Sequence, residues 1–455
     1  MSGYEYIKNL AKQYKCKIPE LLVLAQHNDP FYAGSKTCKA MAEWFVGLWE
    51  RFGYTDGVHL RRVHYQLISQ ENPKKHNGEP YENTINDWDY LCQAGKWARE
   101  LGLISPGAFV DRRNPEPHIF YTASDKKIQE LFIRFPDWDL PEISASLDSS
   151  LDWELPSFEL SGYDYNQGLQ PYHLEIWVEK STQNDILLPL CQQYGINLVT
   201  GIGFMSITSV INLLKRIEQK PCRIFYISDF DPAGDGMPIA VARQIEYWVD
   251  FYNLNVDIKL EPIALTKEQV ERYRLPRTPI KETDKRKGNF EERYGEGAVE
   301  LDALEALYPN ELTKIIKEYI DQYFDKDLED KVADTREDAE QTLQDEWEEK
   351  IEIYQDELEE LQDAVAEINQ KYEEKLEALN EDLQKELEPF KERINSLRQA
   401  IQKSLDEIDP ELPALPEPEI NPDEDDYLFD SKRGYSEQLE VYKNKKLGVK
   451  NEEKE

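Results

Sequence analysis

The sequence predicts an α/β fold: a mainly parallel, Rossmann-like sheet preceded by helices and followed by a long helical, coiled-coil arm. Three observations carry that expectation. Between residues 171 and 320, short apolar runs alternate with amphipathic helical stretches, the order that builds a parallel sheet. Two of those runs end in carboxylates about fifty residues apart: L-E-I-W-V-E-K stops on Glu179, and C-R-I-F-Y-I-S-D-F-D-P-A-G-D presents Asp229 and Asp231. From about 335 to 408, apolar residues recur by threes and fours among glutamates, aspartates and lysines.

Taken in order, residues 1–55 read as a helical segment. Pro19–Ala25 and Met41–Phe52 have helical apolar spacing, separated by an Asn28-Asp29-Pro30 turn. Residues 56–125 have the pattern of a winged helix. Val58–Ser69 is helical in spacing, Thr84 is placed to cap a second helix ending at Leu101, and Gly102 stops it. Pro106–Tyr121 has the length of a β-hairpin wing, with Asp111-Arg112-Arg113 inside it. Residues 126–170 are poor in basic residues and read as a linker partly packed on its neighbours.

In the 171–320 region the predicted strands are Leu174–Val178, Asn197–Thr200, Arg223–Ser228 and Asp257–Leu265. Helices are expected near Gln183–Tyr194, Ser206–Ile217 and Met237–Phe251, and a loop spans Tyr273–Lys287. Ligands of such sheets gather at the carboxyl ends of the strands, where all three acids fall.

The arm, 321–410, carries a seam from Leu343 through Leu387 whose 4-4-3 steps imply weak supercoiling. Pro389 is expected to break or kink it, after which Phe390 to Ile408 continue the seam. The two stretches can fold back as a hairpin or pair with another chain. Residues 411–455 begin as a Pro-rich acidic linker, and the last thirty are expected to be disordered or partner-binding.

Bulk properties narrow the class. At 455 residues the chain has room for two or three cores. No run of eighteen apolar residues occurs, and no apolar stretch follows Met-Ser-Gly, so the expectation is a cytoplasmic protein without a membrane span. Cysteines 16, 38, 92, 191 and 222 are scattered and odd in number, which reads as reduced thiols and not a disulfide frame or zinc site. The net charge of −37 is uneven: residues 321–455 hold 44 acidic and 18 basic residues, against 47 and 36 in residues 1–320. The acidity therefore leaves room for a nucleic-acid groove in the first two thirds, although no broad basic face is visible.

Three carboxylates at the ends of two apolar strands suit Mg²⁺, with Mn²⁺ as a substitute, because these ions take hard oxygen ligands and few of them from protein. Metal at Glu179, Asp229 and Asp231 would neutralise charge in an in-line displacement at a phosphodiester. Asp235 is a possible extra ligand, with a solvated turn residue as the plainer reading. Gly201 and Gly203 suit a tight strand-to-helix turn, and Lys281–Arg286 is a basic run that reads equally as a DNA contact or a solvated surface.

The motifs V-E-K at Val178–Lys180, G-x-G-F at Gly201–Phe204 and D-F-D-P-A-G at Asp229–Gly234 resemble the Toprim domain. The D-x-D-P-x-G form is closest to the A subunit of topoisomerase VI and the related meiotic double-strand-break transesterase. Glu296–Leu304 also resembles the end of bacterial Toprim proteins of this type. That family carries its catalytic tyrosine upstream, in a winged helix, on an Arg-x-apolar-aromatic-Tyr motif. Arg61-Arg62-Val63-His64-Tyr65 matches it, with His64 in the place of the aromatic residue.

The resemblance spans roughly 55–320 and implies a Mg²⁺-dependent enzyme that cleaves double-stranded DNA. Tyr65 would be the nucleophile, leaving a 5′-phosphotyrosyl link; Arg61 would supply positive charge, and Glu179 would bind metal or act as general acid or base. Arg62, Lys180, Arg112 and Arg113 are candidate DNA contacts. By the same resemblance the chain would act as a homodimer, Tyr65 of one subunit meeting the acids of the other. A separate ATPase subunit is a possible partner, since no Walker A sequence is present.

Two other readings stand beside this one. In the first, the chain is a Toprim-type nuclease of a mobile-element or phage-defence kind, with metal-bound water as nucleophile and Tyr65 structural. In the second, it is a non-catalytic DNA-binding or assembly subunit whose acidic coiled coil recruits a protein partner.

Overall fold

A computed structural model describes residues 3–110, 114–123, 131–140, 143, 151, 153–201, 205–372, 380–420, 422 and 427–447. These residues form two compact units: residues 1–126, 170–324 and 420–455 in the first, and 127–169 with 325–419 in the second.

The first unit opens with helices α1 (Gly3–Tyr14), α2 (Lys36–Arg51), α3 (Leu60–Ile68) and α4 (Ile85–Glu100). Pro19–Ala25 is not the helix its spacing suggests: only Ile18–Leu21 forms a single 3₁₀ turn. Pro19 lies inside that turn, where its missing N–H costs nothing but the chain does not propagate. Helices α2 to α4 bury Ala42, Phe45, Val63, Leu91 and Ala94 in one cluster. Thr84 caps α4 by accepting from the Asp87 N–H, and Gly102 ends it at φ +67°.

The expected wing over Pro106–Tyr121 does not pair with itself among the described residues. Phe109 bridges Val58 instead, and His118 bridges Leu198 in the sheet. His118 and Leu198 exchange N–H···O bonds of 2.8 and 2.9 Å, so the segment pairs with sheet-edge backbone that would otherwise lack a partner. Arg112 and Arg113 lie outside the described residues.

The sheet has five strands: β1 (His173–Val178), β2 (Asn197–Thr200), β3 (Cys222–Ile227), β4 (Ile258–Ala264) and β5 (Phe429–Asp430), in the order β2-β1-β3-β4-β5. The first four are parallel and β5 runs antiparallel to β4. Strands β1 and β3 are buried along their whole length, which explains why they read as continuous apolar runs. Alternate residues face two cores. Trp177, Ile224 and Tyr226 pack towards α6 (Ile207–Ile217) and α7 (Met237–Phe251). Ile176, Val178, Phe225 and Ile227 belong to the opposite cluster. That side is covered by α5 (Asn184–Tyr194), and further along the chain come α8 (Lys267–Arg272), α9 (Lys287–Tyr294), α10 (Leu301–Leu307) and α11 (Glu311–Ile320).

The chain's last described stretch is folded, contrary to the expectation of disorder. Strand β5 and the helix Tyr435–Leu447 belong to the first unit. Tyr435 explains why: its hydroxyl donates to the Leu21 carbonyl at 2.6 Å and accepts from Arg243 at 2.6 Å. Arg243 is fully buried, stacked over Phe31 and paired with Asp29 and Glu246, so the tail completes a buried charge cluster.

In the second unit, α12 (Leu328–Lys350), α13 (Gln355–Tyr372) and α14 (Asn380–Asp406) supply one apolar cluster. Arg393 bonds Glu357 at 3.1 Å and Tyr372 bonds Glu386 at 2.7 Å, so α13 and α14 run antiparallel as a hairpin within the chain. Pro389 stays inside α14 and does not end it. The residues read as a linker also fold here: Phe132–Arg134 pairs with Glu159–Ser161, and Leu140, Ile143 and Leu151 join the helical core. Among the described residues no helix is long and apolar enough to cross a membrane.

Candidate active site

Parallel pairing of Val178 with Ile227 brings the carboxyl ends of β1 and β3 side by side. Glu179 prolongs the ladder by donating its N–H to the Ile227 carbonyl at 3.1 Å, and Ser228 N–H does the same to Ala264 at 2.8 Å. The chain then leaves both strands at one end of the sheet, where Glu179 and Asp229 follow within two residues.

Asp229 is 5% exposed and held on both oxygens. Its Oδ1 accepts from the Leu301 N–H at 2.8 Å, and its Oδ2 faces the Lys180 Nζ at 2.5 Å. Burial raises its pKa, and Lys180 and the Leu301 N–H oppose that rise. Asp231 closes a turn, its Oδ1 accepting from the N–H groups of Ala233 at 2.8 Å and Gly234 at 2.6 Å. Gly234 is dictated by space: a Cβ there would lie 2.1 Å from the Asp229 carbonyl oxygen. This accounts for the glycine that ends D-F-D-P-A-G.

Glu179 is the most perturbed of the three acids. Burial, then the charges of Asp229 and Asp231, push its pKa up to about 7. Its Oε2 is buried and has no hydrogen-bond partner among the described residues. Since the folded value is raised, the protonated form is favoured in the folded state, and the stability this brings is lost as pH rises through about 7. In metal-free buffer, Glu179→Gln is therefore expected to be about 1–2 kcal/mol more stable than wild type at pH 8, a figure discounted for the part of the side chain that water reaches. The gain should disappear below pH ~4.5, where both side chains are neutral. Urea melts at pH 4 and 8 with EDTA check it; a variant less stable than wild type at pH 8 would contradict the electrostatic origin.

Sequence reasoning missed the residues that wall this site. Val299 and Phe230 exchange two backbone hydrogen bonds of 2.9 Å, which carries Glu300 and Leu301 to the acids. Glu300 pairs with Lys180. The signal was present as the Glu296–Leu304 resemblance, but its partner was invisible because it lies seventy residues upstream. Asp235 is neither a solvated turn residue nor free to ligate: it accepts from Arg293 at 2.7 Å and from Tyr294 at 3.0 Å, anchoring α9. Arg286, at the amino end of α9, is held by Asp284 through bonds of 3.0 and 2.9 Å. It lies close enough to Asp231 and Glu179 to feel their charge. Gly203 falls outside the described residues.

Tyr65 lies on α3, 59% exposed, and among the described residues its only ring contact is with His64. Arg61 and Arg62 are exposed on the same helix. His64 is buried, with Nδ1 2.8 Å from the Tyr81 hydroxyl and Nε2 3.2 Å from Asn83 Oδ1, and it stacks edge-on against Trp88. It thus fills an aromatic slot, as an ordinary replacement would. Among the described residues no hydrogen bond, ion pair or ring contact joins Tyr65, Arg61 or Arg62 to the three acids.

Among the described residues no group of three or more Asp, Glu, His or Cys side chains is placed so that it could hold a metal ion. Two of the acids are already engaged, Asp229 by Lys180 and Asp231 by its own turn. The donor chemistry is nonetheless of the kind that a divalent cation takes: the acids offer carboxylate oxygens, their repulsion raises the Glu179 pKa, and among the described residues the buried Glu179 Oε2 has no hydrogen-bond donor. Neither a scan of protein-family models nor a search of curated proteins returns a match for this chain.

Proposed function

We propose that this chain is a divalent-metal-dependent DNA-cleaving transesterase of the topoisomerase VI A type, with a winged helix over residues 56–125 and a Toprim domain over 171–320. The observation that carries the reading is the convergence of Glu179, Asp229 and Asp231 at adjacent strand ends, with Glu179 held near neutrality in its titration. The exposed Tyr65 on its Arg61–Tyr65 motif is the second support.

Mg²⁺ or Mn²⁺ would be held by Asp229 and Asp231, with Glu179 as third ligand, and supplies charge neutralisation at the scissile phosphate. Tyr65 would give up its phenolic proton to water as its oxygen bonds to phosphorus, while the bond from phosphorus to the sugar 3′ oxygen breaks. Arg61 and Arg62, one and nearly one helical turn before Tyr65, offer positive charge to the phosphate. In the alternative role, with metal held by Asp229 and Asp231 alone, a protonated Glu179 would instead give its proton to the departing 3′ oxygen. Since among the described residues no hydrogen bond joins Tyr65 to the acids, the reading calls for a homodimer in which each tyrosine meets its partner's acids. The second unit holds 42 acidic and 13 basic residues, net −29 of the chain's −37. Its apolar seam is used within its own hairpin, so its acidic exterior suits a protein partner better than DNA. Any ATP dependence would come from a separate subunit.

The absence, among the described residues, of any hydrogen bond from Tyr65 to the acids also favours a second reading, a metal-dependent nuclease in which water is the nucleophile. One experiment divides them. Wild type incubated with supercoiled DNA and Mn²⁺, then denatured, is expected to remain on the 5′ ends. Tyr65→Phe should lose that linkage by at least about 10³-fold while folding normally, its side chain being exposed. Continued cutting by Tyr65→Phe to free 5′ phosphates would establish the nuclease.

A further inference from the structure

We infer that Lys180 is a resident cation of the acid site, which occupies Asp229 in the free protein and leaves it for a DNA phosphate, so that DNA and divalent metal bind cooperatively. The inference rests on the metal-site reading above and adds to it a regulation of that site.

The geometry is asymmetric in a way the metal reading alone does not require. Asp229 has one oxygen fixed by the Leu301 N–H at 2.8 Å, and the other lies 2.5 Å from Lys180 Nζ. With the residue 5% exposed, Oδ2 is the oxygen left for an incoming ion, and an ammonium already sits on it. A second carboxylate, Glu300, steadies the same ammonium. Two like charges compete for one acceptor, so metal entering here displaces Lys180 or accepts a poor share of Asp229.

Lys180 is also partly open to solvent. Its side chain is 31% exposed, and Glu300, its outer partner, is 56% exposed and screened by water. A lysine is a point charge on a flexible four-carbon stem, able to swing from carboxylate to phosphate without demanding fixed geometry. A phosphate arriving at the strand ends therefore does two things at once: it takes the ammonium and uncovers Oδ2. By linkage, whatever factor DNA adds to metal affinity, metal adds to DNA affinity. The pairing also guards the free protein, because an acid site closed by its own lysine holds less metal until substrate is present.

The test is Mn²⁺ binding by the full-length protein, read as loss of the free-ion EPR signal, with and without a short DNA duplex. Without DNA, Lys180→Met is expected to bind Mn²⁺ at least about tenfold tighter than wild type, and Glu300→Gln about two- to threefold tighter. Adding duplex in a Tyr65→Phe background should tighten Mn²⁺ binding about tenfold, and should do nothing further when Lys180→Met is also present. Circular dichroism melts confirm folding, and the exposed Glu300→Gln variant serves if Lys180→Met does not fold. Equal or weaker Mn²⁺ binding by both variants, with wild type still binding, would overturn the role of Lys180 and leave the metal site standing. Absence of Mn²⁺ binding in wild type and variants alike, with or without DNA, would remove the metal site and this inference together.

Discussion

Replacing Asp229 and Asp231 together by asparagine is expected to lower metal-dependent DNA cleavage by about 10³-fold or more while leaving the fold intact. Asparagine is the informative choice. Asp231 holds its turn through one oxygen that accepts from Ala233 and Gly234, and an amide oxygen can do the same. Asp229 likewise keeps an acceptor for the Leu301 N–H and gives up its ion pair with Lys180. The double variant thus removes two negative charges while keeping the backbone hydrogen bonds that shape the site. It should also release Glu179 from the repulsion that helps to raise its pKa. Cleavage of a nicked or supercoiled substrate, with thermal melting as the control, provides the measurement. Undiminished cleavage would move the chemistry away from these strand ends. Undiminished function in a protein that never cleaves would favour the non-catalytic DNA-binding or assembly role.

The second large effect lies beneath the site. Glu175, in the middle of β1, is fully buried, and Arg216 grips it through two bonds of 2.9 Å. His173 at 2.8 Å, Trp177 at 2.7 Å and Asn197 at 3.3 Å also bond the carboxylate. Burial alone would raise the Glu175 pKa; the Arg216 guanidinium and His173 override it and hold the carboxyl well below its usual range. Arg216→Met leaves a buried carboxylate without its main counter-charge, at an expected cost of about 3–5 kcal/mol. That is a large share of the roughly 5–15 kcal/mol by which domains are stable.

The pH dependence follows in sign. In wild type the pair contributes stability above the ordinary carboxyl pKa and loses it only as pH falls through the depressed value. In Arg216→Met the carboxyl protonates at higher pH, so the gap between variant and wild type should narrow from pH 8 to pH 5. Glu175→Leu/Arg216→Leu should recover much of the loss, because the unpaired charge is then gone. Denaturant melts at the two pH values measure all three. A cost of Arg216→Met below about 1 kcal/mol would contradict this view of the network.

The parts of the fold legible in the sequence are those where local pattern and tertiary role coincide. Strands β1 to β3 could be read from apolar runs because burial on both faces leaves no other composition for them, and helix α7 from its apolar spacing. The three acids could be read because strand ends in such sheets are where ligands gather. Glu175 was passed over for the converse reason: it is a charge within an apolar strand, and only Arg216, forty-one residues on, makes it tenable. Strand β5 is two residues long beside an acidic run, so nothing local marks it; it exists through its pairing with β4. The wing was read as a hairpin from its length, while its backbone partners, Val58 and Leu198, lie far away in sequence. Lys180 followed the same rule. Its position after a strand was visible, but its hold on Asp229 and Glu300 required the fold.

The central claim is that the acids at the strand ends and Tyr65 serve one covalent reaction. Its most direct test is peptide mapping of the protein after reaction with a DNA duplex and Mn²⁺, followed by denaturation and nuclease trimming. The account predicts a nucleotide remnant joined through its 5′ phosphate to the peptide that contains Tyr65. Cleaved DNA with free 5′ phosphates and an unmodified Tyr65 peptide would contradict it.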